Sequence, residues 1–171
     1  VHNEAENVPA LVQEVARATA GIQGWTLGIL FVDDGSSDET VAVIEKLRPA
    51  APIPVGCLRF SRNFGHQAAL EAGLLHATGD VIISMDGDLQ HPPADIPRML
   101  EAYDTGTDVV QMIRGRPSVG IKGFLSRRFY RFFATWAHAD IVPDASDYRL
   151  MSRRVIEVLR EAARPSPQVI G

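Results

Sequence analysis

The chain has 171 residues, of which 46% are hydrophobic and 22% charged, and its formal net charge is −4 at pH 7. This size and balance are typical of one globular domain that can bury a core of its own. The negative charge argues against a nucleic-acid partner, the single cysteine excludes an internal disulfide, and no apolar run approaches the roughly 18 residues of a membrane-spanning helix.

The predicted elements alternate between helix and strand in chain order. Apolar residues at helical spacing predict a first helix that begins near Asn3, with Asn3 as its cap and Glu6 at the capping-box position. Short apolar runs, separated by helices, then predict four strands, over residues 25–32, 55–60, 81–85 and 108–113. This alternation predicts an α/β fold with a mostly parallel central sheet and helices on both faces. Ligands of such sheets bind beyond the carboxyl ends of the strands, so the loops that follow the strands are the candidate sites.

The loop after the third predicted strand contains two carboxylates one residue apart. Asp86 and Asp88 flank Gly87, which permits the backbone turn that would bring both side chains to one site. Hard cations such as Mg²⁺ or Mn²⁺ bind one or two carboxylates together with substrate phosphates. An acidic turn without a ligand is the alternative interpretation. A calcium loop of the EF-hand type is excluded, because the twelfth position from Asp86 is Pro97 rather than Glu.

The loop after the first predicted strand is also acidic. Asp33 and Asp34 can accept hydrogen bonds from a ribose hydroxyl or from the N–H of a base, whereas the alternative is a turn that only caps the next helix. A phospho-accepting receiver domain also has acidic residues after strands. That interpretation leaves unexplained both residues 86–90 and the basic, aromatic segment over residues 118–138.

The segment over residues 118–138 is predicted to be helical. One interpretation is a helix that packs its aromatic residues on the sheet and turns its basic residues to water. The other is a helix at a membrane interface, where basic side chains meet anionic headgroups. The two interpretations are compatible, and the residues concerned are Lys122, Phe124, Arg127, Arg128, Phe129, Tyr130, Arg131, Phe132, Phe133 and Trp136.

Five blocks of sequence, in the same order, resemble family 2 glycosyltransferases. Residues 2–7 are similar to the Asn-Glu motif that opens that family, and residues 32–40 resemble its Asp-Asp-Gly-Ser block. Residues 61–66, 86–93 and 147–151 resemble more closely one branch, which transfers sugars to polyprenyl phosphates such as dolichol or undecaprenyl phosphate. The resemblance spans nearly the whole chain and implies a GT-A fold, which is an α/β fold of the kind predicted above.

The resemblance implies a donor and a metal site. The donor would be a nucleoside diphosphate sugar of the UDP-glucose or GDP-mannose type, with the nucleotide held by Asn3, Glu4, Asp33, Asp34 and Asp86. Mg²⁺ or Mn²⁺ would be bound by Asp86, Asp88 and Gln90. The case for a cation also stands on chemistry alone. Charge grows on the diphosphate leaving group as the glycosidic bond breaks, and a divalent cation stabilises that charge.

The resemblance also implies a lipid phosphate acceptor. A phosphate monoester has a second pKa of about 6, so its oxygen is ionised near neutral pH and needs little help from a base. The side chains predicted to hold that phosphate are Arg114, Lys122, Ser126, Arg127 and Arg149. Single displacement would invert the anomeric carbon. Asp88 and Asp147 are the candidate catalytic residues, and Asp147 would orient a sugar hydroxyl, or act as a base if the acceptor were an alcohol.

The chain departs from the family pattern at three places. His2 stands where the family usually has Tyr. A first strand is expected ahead of residue 1, and many bacterial members carry two transmembrane helices after their catalytic domain. Residues 1–171 are therefore expected to form a single catalytic domain that acts at the cytoplasmic face of a membrane, through segments absent from this chain or by peripheral association. Self-association is left open, because related enzymes often form homo-oligomers.

Two other functions fit the same motifs. A family 2 enzyme with a polysaccharide or other alcohol acceptor would share the donor site, although residues 89–93 and the basic segment after them favour a lipid phosphate. A noncatalytic nucleotide-binding domain would keep the fold, but intact Asp86, Asp88 and Asp147 argue against it. A nicotinamide dehydrogenase is not supported, since no Gly-x-Gly-x-x-Gly motif follows any predicted strand.

Overall fold

The computed structural model of the protein describes residues 1–112 and 147–163. The helices are α1 (Asn7–Thr19), α2 (Thr40–Leu47), α3 (His66–His76), α4 (Ile96–Asp104) and α5 (Arg153–Ala163). The strands are β1 (Ile29–Asp33), β2 (Val55–Arg59), β3 (Val81–Ser84), β4 (Val109–Gln111) and β5 (Arg149–Ser152). Short 3₁₀ turns, Arg48–Ala50 and Pro93–Asp95, precede β2 and α4. The predicted alternation from the first helix to the fourth strand is confirmed, whereas β5 and α5 were not predicted.

The described strands form two small sheets. β1 and β2 pair in parallel, with Ile29 opposite Val55 and Asp33 opposite Arg59. The other sheet has the order β3-β5-β4, and β5 runs antiparallel to both of its neighbours, so β3 and β4 are parallel to each other. A single antiparallel strand in an otherwise parallel arrangement is common in α/β folds. The predicted α/β class is therefore confirmed, and β5 is the strand that opposes its neighbours.

Two apolar clusters hold the helices against the strands. The larger cluster joins α1, α2 and α4 to both sheets, and its most buried members include Val8, Val12, Ile44 and Met99. The smaller cluster joins α3 to α5 through Leu74, Met151, Ile156 and Leu159. Leu150 and Met151 belong to different clusters, because successive side chains of a strand point to opposite faces. Apolar packing therefore covers both faces of β5, as the predicted arrangement of helices requires.

A slot separates β1 from β3. It has a volume of about 980 Å³ and is lined by both strands and by helices α1, α3 and α4, with Leu11 and Leu100 among its apolar side chains. Val1 borders this slot as a parallel neighbour of β1. Its backbone nitrogen donates to the carbonyl of Val32 (2.8 Å), and its carbonyl accepts from the N–H of Asp34 (2.9 Å). Within the described part of the chain, β1 belongs to the sheet with β2 and β3 to the sheet with β5, and the slot lies between these two strands.

The predicted start of the first helix is wrong. Helix α1 begins at Asn7, and its N-cap residue is Glu6, which makes no side-chain capping hydrogen bond. Asn3 instead adopts a left-handed backbone conformation, with φ of 54°. Its side-chain oxygen accepts from the N–H groups of Ser37 (2.9 Å) and Asp38 (3.3 Å). Asn3 therefore caps a turn that lies more than thirty positions along the chain, and not the helix that follows it.

Candidate active site

Two buried carboxylates shape the loop after β1. Asp33 is 0% exposed, and its Oδ2 atom accepts a hydrogen bond from the N–H of Ser36 (3.2 Å). Asp34 is 5% exposed and accepts from the N–H groups of Phe64 (2.6 Å) and Gly65 (2.9 Å). Asp33 therefore stabilises its own turn, and Asp34 joins that turn to the loop between β2 and α3.

The close approach of these two loops requires glycine at position 35. Gly35 has a φ of 65°, in the left-handed region that disfavours other side chains. A Cβ atom at this position would overlap the backbone of Arg62 and Asn63. The glycine of the Asp-Asp-Gly-Ser block thus allows the loop after β1 to lie directly on the loop after β2, which brings both loops to one edge of the fold.

Asn3 and Glu4 lie against the same turn. The N–H of Asn3 donates to the hydroxyl of Ser36 (2.9 Å), and the N–H of Glu4 donates to the hydroxyl of Thr40 (2.9 Å). These bonds place the first residues of the chain beside the acidic loop that follows β1. The structure therefore brings together four of the five residues that were predicted to hold the nucleotide, and their contact with a nucleotide stays a prediction.

The acidic loop after β3 is a tight turn. Leu89 has a left-handed φ of 63°, and the N–H of Gln90 donates to Oδ1 of Asp88 (3.0 Å). The N–H of Asp86 donates to Nδ1 of His91 (2.9 Å). Because Nδ1 of His91 accepts this bond, the proton of the neutral ring is on Nε2. The side chains of Asp86 and Asp88 are thus presented by a backbone whose conformation is fixed at several points.

His91 fixes this loop from the interior of the protein. It is 4% exposed, and its ring stacks on that of Tyr148, with 5.0 Å between the ring centroids and 13° between the planes. The hydroxyl of Tyr148 in turn donates to the carbonyl of Pro92 (2.8 Å). The segment before β5 therefore supports the acidic loop, although the two lie far apart in the sequence.

The oxygen atoms of this loop are of the kind that bind a hard divalent cation, with substrate phosphates as its remaining ligands. The side chain of Asp86 is 36% exposed, and two imidazole nitrogens lie within 4.0 Å of its carboxylate, Nδ1 of His91 at 3.5 Å and Nδ1 of His66 at 4.0 Å. Across residues 1–112 and 147–163, no three His, Cys, Asp or Glu side chains converge as a metal site. Mg²⁺ is commonly held by one or two carboxylates plus substrate phosphates, so two carboxylates and an amide oxygen are a sufficient set.

Asp147 lies beside the acidic loop and is held at both carboxylate oxygens. Its Oδ2 atom is 2.8 Å from Nε2 of His66, and its Oδ1 atom accepts from the guanidinium group of Arg149. Its backbone carbonyl accepts from the hydroxyl of Ser84 at the end of β3 (2.6 Å). These contacts fix both the backbone and the side chain of Asp147 at the carboxyl end of β3.

The pKa values of Asp147, His66 and Arg149 depart from their ordinary values. The hydrogen bond from His66 lowers the pKa of the Asp147 carboxyl group, and the nearby charge of Arg149 lowers it further. The same bond to Asp147 raises the pKa of the His66 imidazole. Burial lowers the pKa of the Arg149 guanidinium, which still remains cationic at neutral pH. Asp147 is therefore a stable carboxylate with a reduced affinity for a proton.

Of the side chains predicted to hold the acceptor phosphate, Arg149 is the one that lies among the described residues. Its side chain is fully buried and pairs with Asp147, so it lies behind that carboxylate and away from solvent. The structure thus shows Arg149 as a support for Asp147, and its contact with an acceptor phosphate stays a prediction. Outside the described residues lie the basic, aromatic segment over residues 118–138 and the remaining predicted ligands of the phosphate, Arg114, Lys122, Ser126 and Arg127.

Sequence reasoning did not assign a role to His66, although the residue lies at the center of the site. Its ring is between the carboxylates of Asp86 and Asp147. The signal was its position, because His66 follows β2 and begins α3 at the same edge where the acidic loops occur. Nothing in the local sequence indicates that this imidazole contacts residue 147.

Comparison with known proteins gives a family and related enzymes. The sequence model of the family described as "Glycosyl transferase family 2" matches residues 1–160. The chain is 38% identical over 164 residues to the prophage bactoprenol glucosyl transferase homolog of Escherichia coli (strain K12), covering 94% of this chain and 52% of that protein. It is 40% identical over 114 residues to the undecaprenyl-phosphate 4-deoxy-4-formamido-L-arabinose transferase of Klebsiella pneumoniae (strain 342), covering 67% of this chain and 35% of that protein.

Solved structures show the same fold at low sequence identity. The chain superposes on mannosyltransferase PcManGT from Pyrobaculum calidifontis, solved in complex with GDP-Man and Mn²⁺, with a TM-score of 0.62 and 20% identity, over 93% of this chain and 44% of that one. It superposes on TarS of S. aureus with a TM-score of 0.59 and 17% identity, over 94% of this chain and 46% of that one. The chain spans about half the length of the curated bactoprenol glucosyl transferases that it matches.

Proposed function

Because the chain belongs to glycosyl transferase family 2, we propose that it forms the catalytic core of an enzyme that transfers a sugar from a nucleoside diphosphate sugar to polyprenyl phosphate. The observation that carries the proposal is the meeting of Asp86 and Asp147 across His66 at the edge where the loop after β1 also lies. Two curated relatives are named for sugar transfer involving bactoprenol or undecaprenyl phosphate, which supports this class of acceptor.

The donor half of the site is assigned to the loops after β1 and β3. Asn3, Glu4, Asp33 and Asp34 would hold the nucleoside of a UDP-glucose or GDP-mannose type donor, and Asp86 would contact the nucleotide from the other side. Mg²⁺ or Mn²⁺, held by Asp86, Asp88 and Gln90, would stabilise the negative charge of the departing diphosphate. The hydrogen bonds within these loops hold the side chains in place before a donor binds, which reduces the entropic cost of binding.

Asp147 supports a phosphate acceptor over an alcohol. A lipid phosphate is already ionised near neutral pH and attacks without a base, whereas an alcohol needs a group that takes its proton. Asp147 already accepts hydrogen bonds at both carboxylate oxygens, and its lowered pKa makes it a weak base. It is therefore suited to orient a hydroxyl of the donor sugar, while single displacement by the phosphate inverts the anomeric carbon.

The acceptor half of the site is proposed to be basic and close to a membrane. Arg114, Lys122, Ser126, Arg127 and Arg149 would offset the repulsion between the acceptor phosphate and the donor diphosphate. The lipid acceptor would bring the enzyme to the cytoplasmic face of a membrane, either peripherally or through further segments, and as a monomer or a homo-oligomer. None of the helices in residues 1–112 and 147–163 is long and apolar enough to cross a bilayer.

The decisive experiment measures donor binding and then transfer. Calorimetric titration of UDP, GDP and their common sugar conjugates, with and without Mn²⁺, should show one nucleotide that binds tightly only with the cation. The matching nucleotide sugar should then donate to a short-chain polyprenyl phosphate and not to a free oligosaccharide. Transfer to the oligosaccharide alone would instead indicate an alcohol acceptor, and binding without transfer to any acceptor would indicate a noncatalytic nucleotide-binding domain.

A further inference from the structure

The imidazole ring of His66 connects the two parts of the site. Its Nε2 atom is 2.8 Å from Oδ2 of Asp147, and its Nδ1 atom is 4.0 Å from Oδ1 of Asp86. The ring is half exposed and faces the same edge of the fold as the acidic loops. We infer that His66 is a positioning residue for sugar transfer, which holds the carboxylate of Asp147 in one orientation by donating a hydrogen bond to its Oδ2 atom. This inference rests on the proposed function.

Two different partners are needed to fix the carboxylate of Asp147. The last side-chain torsion of Asp is broad and roughly two-fold, so one hydrogen bond at one oxygen leaves the group able to rotate. Arg149 is fully buried and contacts Oδ1, so it holds the carboxylate from the interior. His66 contacts the other oxygen from the exposed side. The orientation of Asp147 toward a bound substrate therefore depends on the bond from His66.

The backbone before His66 is tied to the loop after β1. Phe64 and Gly65 donate their N–H groups to the two carboxylate oxygens of Asp34, and Gly65 has a left-handed φ of 96°. The first turn of α3 is therefore set by the loop that is proposed to hold the nucleoside. His66 then contacts Asp147, which precedes β5 in the other sheet. This set of contacts aligns the donor side of the site with Asp147.

A positioning role for His66 predicts a loss of kcat, whereas a structural role predicts a loss of stability. Ion pairs between partly exposed groups contribute little to stability, so removal of the imidazole should leave the fold intact. The donor would still bind through the loops after β1 and β3. Loss of the bond to Asp147 should therefore lower kcat for transfer, with little change in the Michaelis constant of the donor or in the melting temperature.

The test compares two variants of His66 with a control on the same helix. His66→Ala removes the hydrogen-bond donor, whereas His66→Gln keeps an N–H group at about the distance of Nε2 from the backbone. His76→Ala is the matched control, because His76 is exposed on α3 and its ring contacts a carbonyl of its own helix. The wild type and the three variants are assayed with Mg²⁺ for kcat, for the Michaelis constants of donor and acceptor, for nucleotide affinity and for melting temperature.

We expect His66→Ala to lower kcat about 10- to 100-fold, the range seen when a group that orients a functional ligand is removed. His66→Gln should recover most of that loss, and added imidazole should partly restore His66→Ala, since the ring occupies a half-exposed position. His76→Ala should match the wild type. A wild-type kcat in His66→Ala would overturn the inference. So would a loss of kcat in His66→Gln as large as that in His66→Ala, with no rescue of His66→Ala by imidazole. Weaker nucleotide binding as the main defect of His66→Ala would also overturn it. If the wild-type protein transfers no sugar, the proposed function is contradicted, which is distinct from a failure of the inference about His66.

Discussion

The side chain of Val1 packs directly on Gly87, the glycine between the two carboxylates of the acidic loop. A Cβ atom at Gly87 would overlap the Cγ1 atom of Val1. Val1 also pairs with the end of β1 through its backbone nitrogen and its carbonyl. Val1 therefore contacts both the end of β1 and the loop after β3, which carry the two halves of the proposed donor site.

Gly87→Ala is expected to weaken metal-dependent nucleotide binding, because the added methyl group must displace either Val1 or the acidic loop. Overpacking of this kind typically costs about 1–3 kcal/mol of unfolding free energy. The measurements are nucleotide titration with Mn²⁺ and denaturant unfolding. Gly21→Ala is the control, since a Cβ atom there has nothing within 4 Å. If the overlap is the cause, combining Gly87→Ala with Val1→Ala should restore binding, and an unrestored double variant would contradict it.

Asp34→Asn is expected to lower the free energy of unfolding and to weaken nucleotide binding. The Asn amide has one oxygen that can accept, and its NH₂ group would face the second N–H donor. One of the two hydrogen bonds that Phe64 and Gly65 donate is therefore lost. An unsatisfied buried group costs about 1–3 kcal/mol. Urea unfolding measures this loss, and Asp104→Asn, an exposed change at the end of α4, should be neutral. Equal stability of the two variants would mean that Asp34 does not hold the loops together.

Asp88→Asn is expected to abolish the effect of the cation on nucleotide binding. The substitution keeps the size of the side chain and its ability to accept from the N–H of Gln90, but removes the charge that a divalent cation prefers. Calorimetry with and without Mn²⁺ should show at least about a tenfold rise in Kd, which corresponds to about 1.4 kcal/mol. Retention of metal-dependent binding and transfer in this variant would show that the metal site has been assigned to the wrong residues.

Arg114→Ala is expected to raise the Michaelis constant for lipid phosphate and to leave that for the nucleotide sugar unchanged. The reason is that a guanidinium group binds a phosphate through paired, charge-assisted hydrogen bonds. Initial rates over a range of short-chain polyprenyl phosphate concentrations give the first constant, and rates over a range of donor give the second. Arg98→Ala, an exposed change on α4 where the guanidinium pairs only with neighbouring Asp95, serves as the comparison. An unchanged Michaelis constant for the lipid phosphate would mean that Arg114 does not hold the acceptor phosphate.

Local patterns in the sequence determined the class of the fold and the position of the acidic loops. Apolar runs and the helical segments between them predicted the α-helices and strands from α1 to β4, because burial imposes a period on the side chains of most of these elements. The same alternation identified the carboxyl ends of the strands, so that Asp33 and Asp86 were recognised as candidates for one site. These features are encoded within a few neighbouring residues, and no tertiary contact is needed to detect them.

The contacts between distant segments were decided only by the tertiary structure. Strand β5 was missed because its residues are buried between two neighbours and carry no alternation. The N-cap predicted at Asn3 was overridden by hydrogen bonds to Ser37 and Asp38. His66 and Asp147 are separated by 81 positions, and their contact depends on the packing of α3 against α5, the helix that follows β5. A local pattern reports which face of an element is buried, but the partner of a particular side chain is set by how whole elements pack.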